Sequence, residues 1–305
     1  MKMEINTPVN AEERHDGAEE EKEYIPEAFW PEFLRSFLRN KTAVLGAGTV
    51  LILILAAVFA PWVAPHDPYL VDLEIQLQKP DRTHLLGTDM FGRDVLSRII
   101  YGSRISFVIG FIPTSISMII GTILGMISGY YGKKTDYVIM RLCDIVMAFP
   151  SLLLAMVVMY TLGNSLLNIF IALSIVGWAG TARVVRSQTL ALKEKEFVEG
   201  ARAIGVRNWT IITRHIFPNC IPSLLVLFTM GIPGAILSEA GLSFLGVGAQ
   251  PPTPSWGLMA SAGKEFMFSA PWIALTPGLA ILIIVLAFNF LGDGIRDALD
   301  PYMKQ

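Results

Sequence analysis

The chain has 305 residues, 53% of them hydrophobic and 16% charged, with a formal net charge of −2. A soluble domain carries about a quarter charged residues, and a slightly acidic chain offers nucleic acid no basic face. Composition therefore argues against a water-exposed globule and against a nucleic-acid partner, leaving a bundle of buried helices as the soluble alternative to a membrane protein.

In chain order, residues 1–29 hold nine acidic residues against Lys2, Arg14 and Lys22. That balance, with no apolar run, predicts a disordered acidic tail. It lacks the basic start and apolar stretch of a secretory signal, so the tail is expected on the cytoplasmic side. Uncharged runs then follow, first over Ala43–Ala64 and next over Ile105–Gly132. About 20 apolar residues cross a bilayer core as one helix. Six spans are expected: Thr42–Ala64, Ile105–Tyr130, Tyr137–Tyr160, Leu166–Val184, Cys220–Ala240 and Trp272–Leu291. Arg141 and Asp144 fall in the first turns of the third, at a spacing that lets them pair on one face.

Orientation follows from basic residues in the flanking loops. With the N-terminus inside, fifteen lysines and arginines flank the spans on the cytoplasmic side and six lie outside, five of these between Pro65 and Arg104. Both termini are expected in the cytoplasm of a multi-pass cell-membrane protein. Gly121, Gly125 and Gly129 repeat at i, i+4, i+8 in the second span, a stripe that admits a close helix neighbour. Pro113, Pro150 and Pro233 lie inside spans and are expected to kink them. Cys143 and Cys220, the only cysteines, sit at cytoplasmic helix ends without a histidine set beside them. Neither a structural disulfide nor a metal site is expected from them.

Outside the membrane, His84, Asp89, Arg93 and Asp94 cluster around Gly87-Thr88-Asp89. Asp89 is expected to cap the helix that includes Asp94–Tyr101, in a folded outer loop that docks another protein, with direct substrate contact as the alternative. Two roles are open to Glu239, late in the fifth span: facing a substrate amino group, or anchoring the Pro251–Trp256 loop. Asn289 and Asp293 are expected to close the sixth span.

The loop between the fourth and fifth spans reads EFVEGARAIGVRNWTIITRHIFPN, Glu196–Asn219. Phe197, Ala201 and Ile204 recur at helical spacing on one face, and Gly205 stops that helix as a C-terminal glycine does. A second helical stretch is expected over Asn208–His215, ended by Pro218. The product is a helix–glycine–helix elbow, and small residues at Gly200, Ala201 and Ala203 would let a soluble partner close around it. An ordinary amphipathic connector is the competing reading.

The spacing of Glu199, Gly200, Ala201 and Gly205, with Pro218 after it, resembles the EAA loop of binding-protein-dependent ABC importer permeases. Gly200 departs from the usual alanine, as in the peptide and nickel branch. Four further blocks resemble that branch: WPEFLRSFLRNKTAVLG, HLLGTDMFGRDVLSRIIYGSR, SEAGLSFLGVGAQPPTPSWG and GDGIRDALDP. From Trp30 onward the chain is similar to the C-type subunit of dipeptide and oligopeptide systems. The resemblance implies an all-α, type I importer domain of the methionine-permease kind with six transmembrane helices. It implies a cytoplasmic tail (1–29), a first span with an outer loop (30–103), an ABC transmembrane type-1 domain (104–293) and a cytoplasmic C-terminal tail (294–305). It also implies a B-type permease partner, two ABC ATPase subunits, each gripping one EAA loop, and an extracytoplasmic solute-binding protein. Dipeptides or oligopeptides are the implied cargo, with nickel, glutathione or oligosaccharides as alternatives. No G-x-x-x-x-G-K-[ST] loop occurs in the sequence, so ATP and magnesium are expected on the partner subunits, with no cofactor, metal or catalytic site here. A secondary transporter with inverted repeats, or a non-transporting scaffold, is the reading from another class.

Overall fold

The computed structural model describes residues 29–299, and these are helical apart from loops and a single isolated bridge between Thr88 and Asp94. The expected N-terminal tail and the last residues of the C-terminal tail lie outside the described residues. An amphipathic helix α1 (Phe29–Arg39) leads into α2 (Lys41–Val58). Asn40 separates them because its side chain accepts from the backbone N–H groups of Thr42 and Ala43, at 3.1 and 3.2 Å. A short α3 (Ala60–Val63) and a folded outer segment follow, and then come α4 (Val95–Tyr131), α5 (Lys133–Met147), α6 (Ser151–Leu162) and α7 (Leu166–Lys193). Beyond α7 lie α8 (Glu196–Ala203), α9 (Asn208–Ile211), α10 (Phe217–Phe244), α11 (Trp256–Gly263) and α12 (Trp272–Leu299).

Five stretches are long and apolar enough to cross a bilayer: α2, α4, α7, the run from Asn208 to Phe244, and α12. A sixth span requires α5 and α6 together, and these meet at 89°. The third span is thus broken into two helices at Pro150, beyond the kink expected there. Pro150 is the reason, since it cannot donate into the preceding turn and pushes Ala148–Phe149 out of helical register. With 12 residues, α6 reaches only about 18 Å, short of a hydrocarbon core of about 30 Å. Asp144 pairs better with Arg183 of α7, at 2.8 Å, than with Arg141 of its own helix, at 3.8 Å. The helices continue through Pro113 and Pro233. The sixth span also runs past Asn289 and Asp293 to Leu299 rather than closing on them.

At the centre α4 and α7 form the most extensive helix pair. A methyl group on Gly121 would come 2.7 Å from the Trp178 carbonyl oxygen, on Gly125 2.6 Å from that of Ala182, and on Gly129 2.8 Å from that of Arg186. Three successive turns of α4 therefore lie against the backbone of α7, as the glycine stripe predicts. Between α2 and α12 the same device recurs, with Gly46 against the Ala287 carbonyl and Gly294 against Ala43. Large side chains on the outer flanks, Leu51, Ile52 and Leu55 of α2 among them, remain exposed. In lipid that exposure carries no hydrophobic penalty, and packing of small residues holds the helices together.

The seam generates a direct test. In Gly125→Leu the added side chain meets a backbone oxygen that cannot yield, and overpacking of this kind costs about 1–3 kcal/mol. Gly180 of α7 faces open space, so Gly180→Ala serves as the control. Thermal unfolding of the purified chain in detergent is expected to fall for Gly125→Leu and to hold or rise for Gly180→Ala.

Candidate functional site

The elbow begins where α7 ends. In α8 the buried residues are Val198 and Ala201, so the face on which Phe197, Ala201 and Ile204 recur is only partly the inward one. Phe197 and Ile204 point outward, and Ile204 is 81% exposed. Only Ala201 of the expected apolar trio packs inside. The inward face joins a cluster with Met126 and Tyr130 of α4, Val185 of α7, and Ile211 and Ile216.

Gly205 ends α8 with φ of 81°, a left-handed value that suits glycine. Around it the Gly205 N–H donates to the Arg202 carbonyl and the Val206 N–H to the Ala201 carbonyl, both at 3.1 Å. These two bonds make the Schellman closure that satisfies the last carbonyls of a helix. Tyr130 fixes the second arm, its hydroxyl donating to Asn208 Oδ1 at 2.8 Å. The Arg202 guanidinium lies over the same ring, 5.9 Å from its centroid.

Pro218 does not end the second arm. Helix continues from Asn208 to Phe244, with a π-helical turn at Ile212–Ile216 in which the Phe217 N–H reaches back to the Ile212 carbonyl. The extra residue per turn absorbs the donor that Pro218 lacks and relieves its ring from the turn before it. The second arm is consequently continuous with the fifth span.

What remains outside is apolar. Phe197, Ile204 and Trp209 are 44%, 81% and 64% exposed, with Glu199, Gly200, Arg202, Ala203 and Gly205 exposed among them. Glu199 sits in the first turn of α8, where a carboxylate favours the positive helix end. A methyl group on Gly200 would meet nothing within 4 Å, so Gly200 leaves space for something outside this chain.

Above the elbow, α4, α6, α7 and α10 enclose a cavity of about 240 Å³. Its walls carry the hydroxyls of Thr114, Ser117, Ser151, Thr181 and Ser238 and no charged side chain. These residues escaped the sequence reading because isolated hydroxyls in apolar helices are common and carry no spacing signature. Glu239, next to Ser238, is 1% exposed. Its Oε1 accepts from Ser243 Oγ at 2.6 Å and Ser255 Oγ at 3.0 Å, while Ser255 caps α11 through the Leu258 N–H. Glu239 thus ties the end of α10 to the following loop, which is the anchoring geometry of its two open roles.

At the opposite end of α4 the cap is Asp94, whose Oδ2 accepts from the Ser97 N–H at 2.7 Å. Asp89, expected as the cap, instead pairs with Arg93 at 2.7 Å and Arg98 at 3.5 Å. The difference follows from chain direction, because Gly92, with φ of 72°, turns the backbone between Asp89 and the helix start. Trp272 Nε1 donates to the Thr88 carbonyl at 3.2 Å, joining this outer segment to α12. Cys143 and Cys220 are free and buried.

Long apolar spans, a hydroxyl-lined cavity among them and an apolar elbow projecting from two of them define a membrane permease subunit. The chain belongs to the family of binding-protein-dependent transport system inner membrane components, whose family model matches residues 121–305. Residues 28–80 match the N-terminal transmembrane domain of oligopeptide transport permease C. The dipeptide transport system permease protein DppC of Alkalihalophilus pseudofirmus is 43% identical over 304 residues, covering 100% of both chains. The glutathione transport system permease protein GsiD of Pectobacterium atrosepticum is 45% identical over 276 residues, 90% of this chain and 92% of that one. Its Escherichia coli counterpart is 46% identical over 276 residues, with 90% and 91% covered. Among solved structures, the MetNI methionine ABC transporter in an inward-facing conformation superposes with a TM-score of 0.53 at 18% identity. The match covers 67% of this chain and 96% of that one, and it is the fold that is shared.

Two glycines of the elbow predict opposite outcomes. Gly205→Ala places a β-carbon in the left-handed region at a cost of about 1–2 kcal/mol, whereas Gly200→Ala gains up to about 1 kcal/mol by stiffening a helical position. Hydrogen exchange across residues 199–211 is expected to speed up about 5- to 30-fold in Gly205→Ala, and to slow or stay level in Gly200→Ala.

Proposed function

We propose that this chain forms one half of the translocation pathway of an ATP-driven dipeptide importer and transmits ATPase motion through its elbow. The observation that carries this is the two-sided chemistry of α8. Val198 and Ala201 bind the elbow to α4 and the start of the fifth span, while Phe197, Ile204 and Trp209 stand uncovered. An apolar patch of that kind, rimmed by Glu199 and Arg202, marks a protein partner, and the groove of an ABC ATPase subunit is the partner proposed. Glu199, Gly200, Ala201 and Gly205 shape the knob, and Pro218 roots it through the π turn.

In this reading both termini and the elbow face the cytoplasm, a B-type permease supplies the other half of the pathway, and a second ATPase grips that subunit's own loop. ATP and Mg²⁺ are held by the ATPases. A solute-binding protein outside delivers the cargo to the cavity walls, whose hydroxyls suit the amides of a small peptide better than a bare ion. Glutathione, itself a short peptide, is the second reading, because GsiD relatives match at 45–46% identity. ATP-driven closure of the ATPases moves the knob, and the cavity follows because the same helices form its wall. The ligand shifts a two-state equilibrium only as far as its contacts differ between the states.

Gly205→Val tests the coupling. In proteoliposomes holding the whole transporter, uptake of a radiolabelled dipeptide is expected to fall about 5- to 150-fold. Chain abundance, co-purification of the partners and ATP binding are expected to stay near normal. Full uptake would make the elbow an ordinary connector. Labelled glutathione in a parallel arm separates the two cargo readings.

A further inference from the structure

His66, His84 and Asp94 meet at the start of α4, at the far end of that helix from the elbow, and the transport reading uses none of them as a set. Asp94 Oδ1 lies 2.9 Å from His84 Nδ1 and 3.7 Å from His66 Nδ1. One ligand atom from each residue lies within 4.8 Å of the others, and the two imidazoles stack with centroids 4.6 Å apart. Around a tetrahedral zinc-class ion, bonds of about 2.0–2.2 Å to nitrogen and oxygen set neighbouring ligand atoms about 3.3 Å apart. The two observed distances bracket that edge.

The three residues are held in place from behind, Asp94 through its side chain and the two histidines through their backbone N–H groups. Asp94 Oδ2 accepts from the Ser97 N–H, the His66 N–H donates to Ser97 Oγ at 3.0 Å, and the His84 N–H donates to Asp81 Oδ1 at 2.6 Å. His66 Nδ1 is buried without a hydrogen-bond partner, although the carboxylate stands nearby. A proton on His84 satisfies the contact to Asp94 and leaves His66 unmet. A cation satisfies both nitrogens and the oxygen together. The positive end of α4 opposes a cation, yet Asp94 splits its oxygens, giving one to the helix and turning the other to the imidazoles.

We propose that His66, His84 and Asp94 form a binding site for a divalent transition-metal ion of the zinc class. Two imidazoles and one carboxylate suit zinc, nickel or copper rather than magnesium or calcium, which prefer all-oxygen shells. His84 and Asp94 are buried, while the His66 side chain is 33% exposed, so solvent completes the fourth position. The ion clamps the chain after α3 and the turn at His84 onto the first turn of α4. This proposal stands apart from the transport reading, and either can fail without the other.

The test uses the full chain in detergent, with any affinity tag removed, stripped with EDTA and titrated with Zn²⁺ against a chromophoric chelator. One equivalent is expected to bind, and Co²⁺ in its place is expected to show the visible absorption of a tetrahedral site. Asp94→Asn keeps a capping side chain but loses the charge, and His66→Gln changes a part-exposed residue. Each is expected to weaken binding at least about tenfold. Absence of a stoichiometric equivalent in the wild type overturns the proposal, as does wild-type affinity in either variant. If Asp94→Asn does not fold, His66→Gln decides alone.

Discussion

The contact on which the rest of the molecule depends is the glycine seam between α4 and α7. Between lipid-facing helices no hydrophobic force selects a neighbour, so close packing must do so. Gly121, Gly125 and Gly129 let the backbone of α7 approach to where any side chain would collide. On either side of Gly129, Met126 and Tyr130 receive the buried face of the elbow. About one turn before Gly121, Ser117 lines the cavity, and Thr181 of the facing helix lines it too. A single rigid pair therefore carries the elbow at one end and the cavity wall in its middle. Arg186 of α7 adds a lateral brace, donating to Asp136 Oδ2 of α5 at 2.6 Å.

On the proposed reading, this arrangement carries a displacement of the elbow to the cavity. The elbow is fixed by the Schellman closure at Gly205, by the Tyr130–Asn208 hydrogen bond and by the helical continuity from Asn208 into α10. The helix runs unbroken from Trp209 to Ser238, through the π turn and past Pro222 and Pro233. At the opposite end, Glu239 binds α10 to the loop and α11, and Trp256 Nε1 donates to the Ile99 carbonyl of α4 at 2.9 Å. Both ends of α10 are consequently tied to neighbouring elements.

Much of this was legible in the sequence because it depends on local rules. A glycine at period four reports a close helix pair, and a glycine ending an apolar helical stretch reports a positive φ, which Gly205 has. The family resemblance and the spans likewise follow from spacing and apolar length. The inward face of α8 was not legible, since an apolar residue that waits for a protein partner looks the same as one that packs at home. For the same reason the shared face of Phe197, Ala201 and Ile204 did not say which of them pack inside, and Val198 gave no signal. The break at Pro150 and the unbroken helix through Pro218 also look alike in sequence. Only the upstream π turn, a tertiary outcome, separates them. Asp89 and Asp94 are both chemically fit to cap α4, and the turn at Gly92 decides between them.

The central claim is that the uncovered face of α8 meets the ATPase. It is tested most directly by cross-linking in a chain whose Cys143 and Cys220 are replaced by alanine. Single cysteines are placed at Ile204, on the elbow, and at Phe268, a fully exposed residue near the start of α12. Trp272 bonds to the outer segment there, so Phe268 lies at the opposite end of the bundle. With a short thiol-to-lysine reagent applied to the assembled transporter, Ile204→Cys is predicted to link to the ATPase and Phe268→Cys is not. A link from Phe268→Cys, or none from Ile204→Cys in an intact assembly, would contradict the claim.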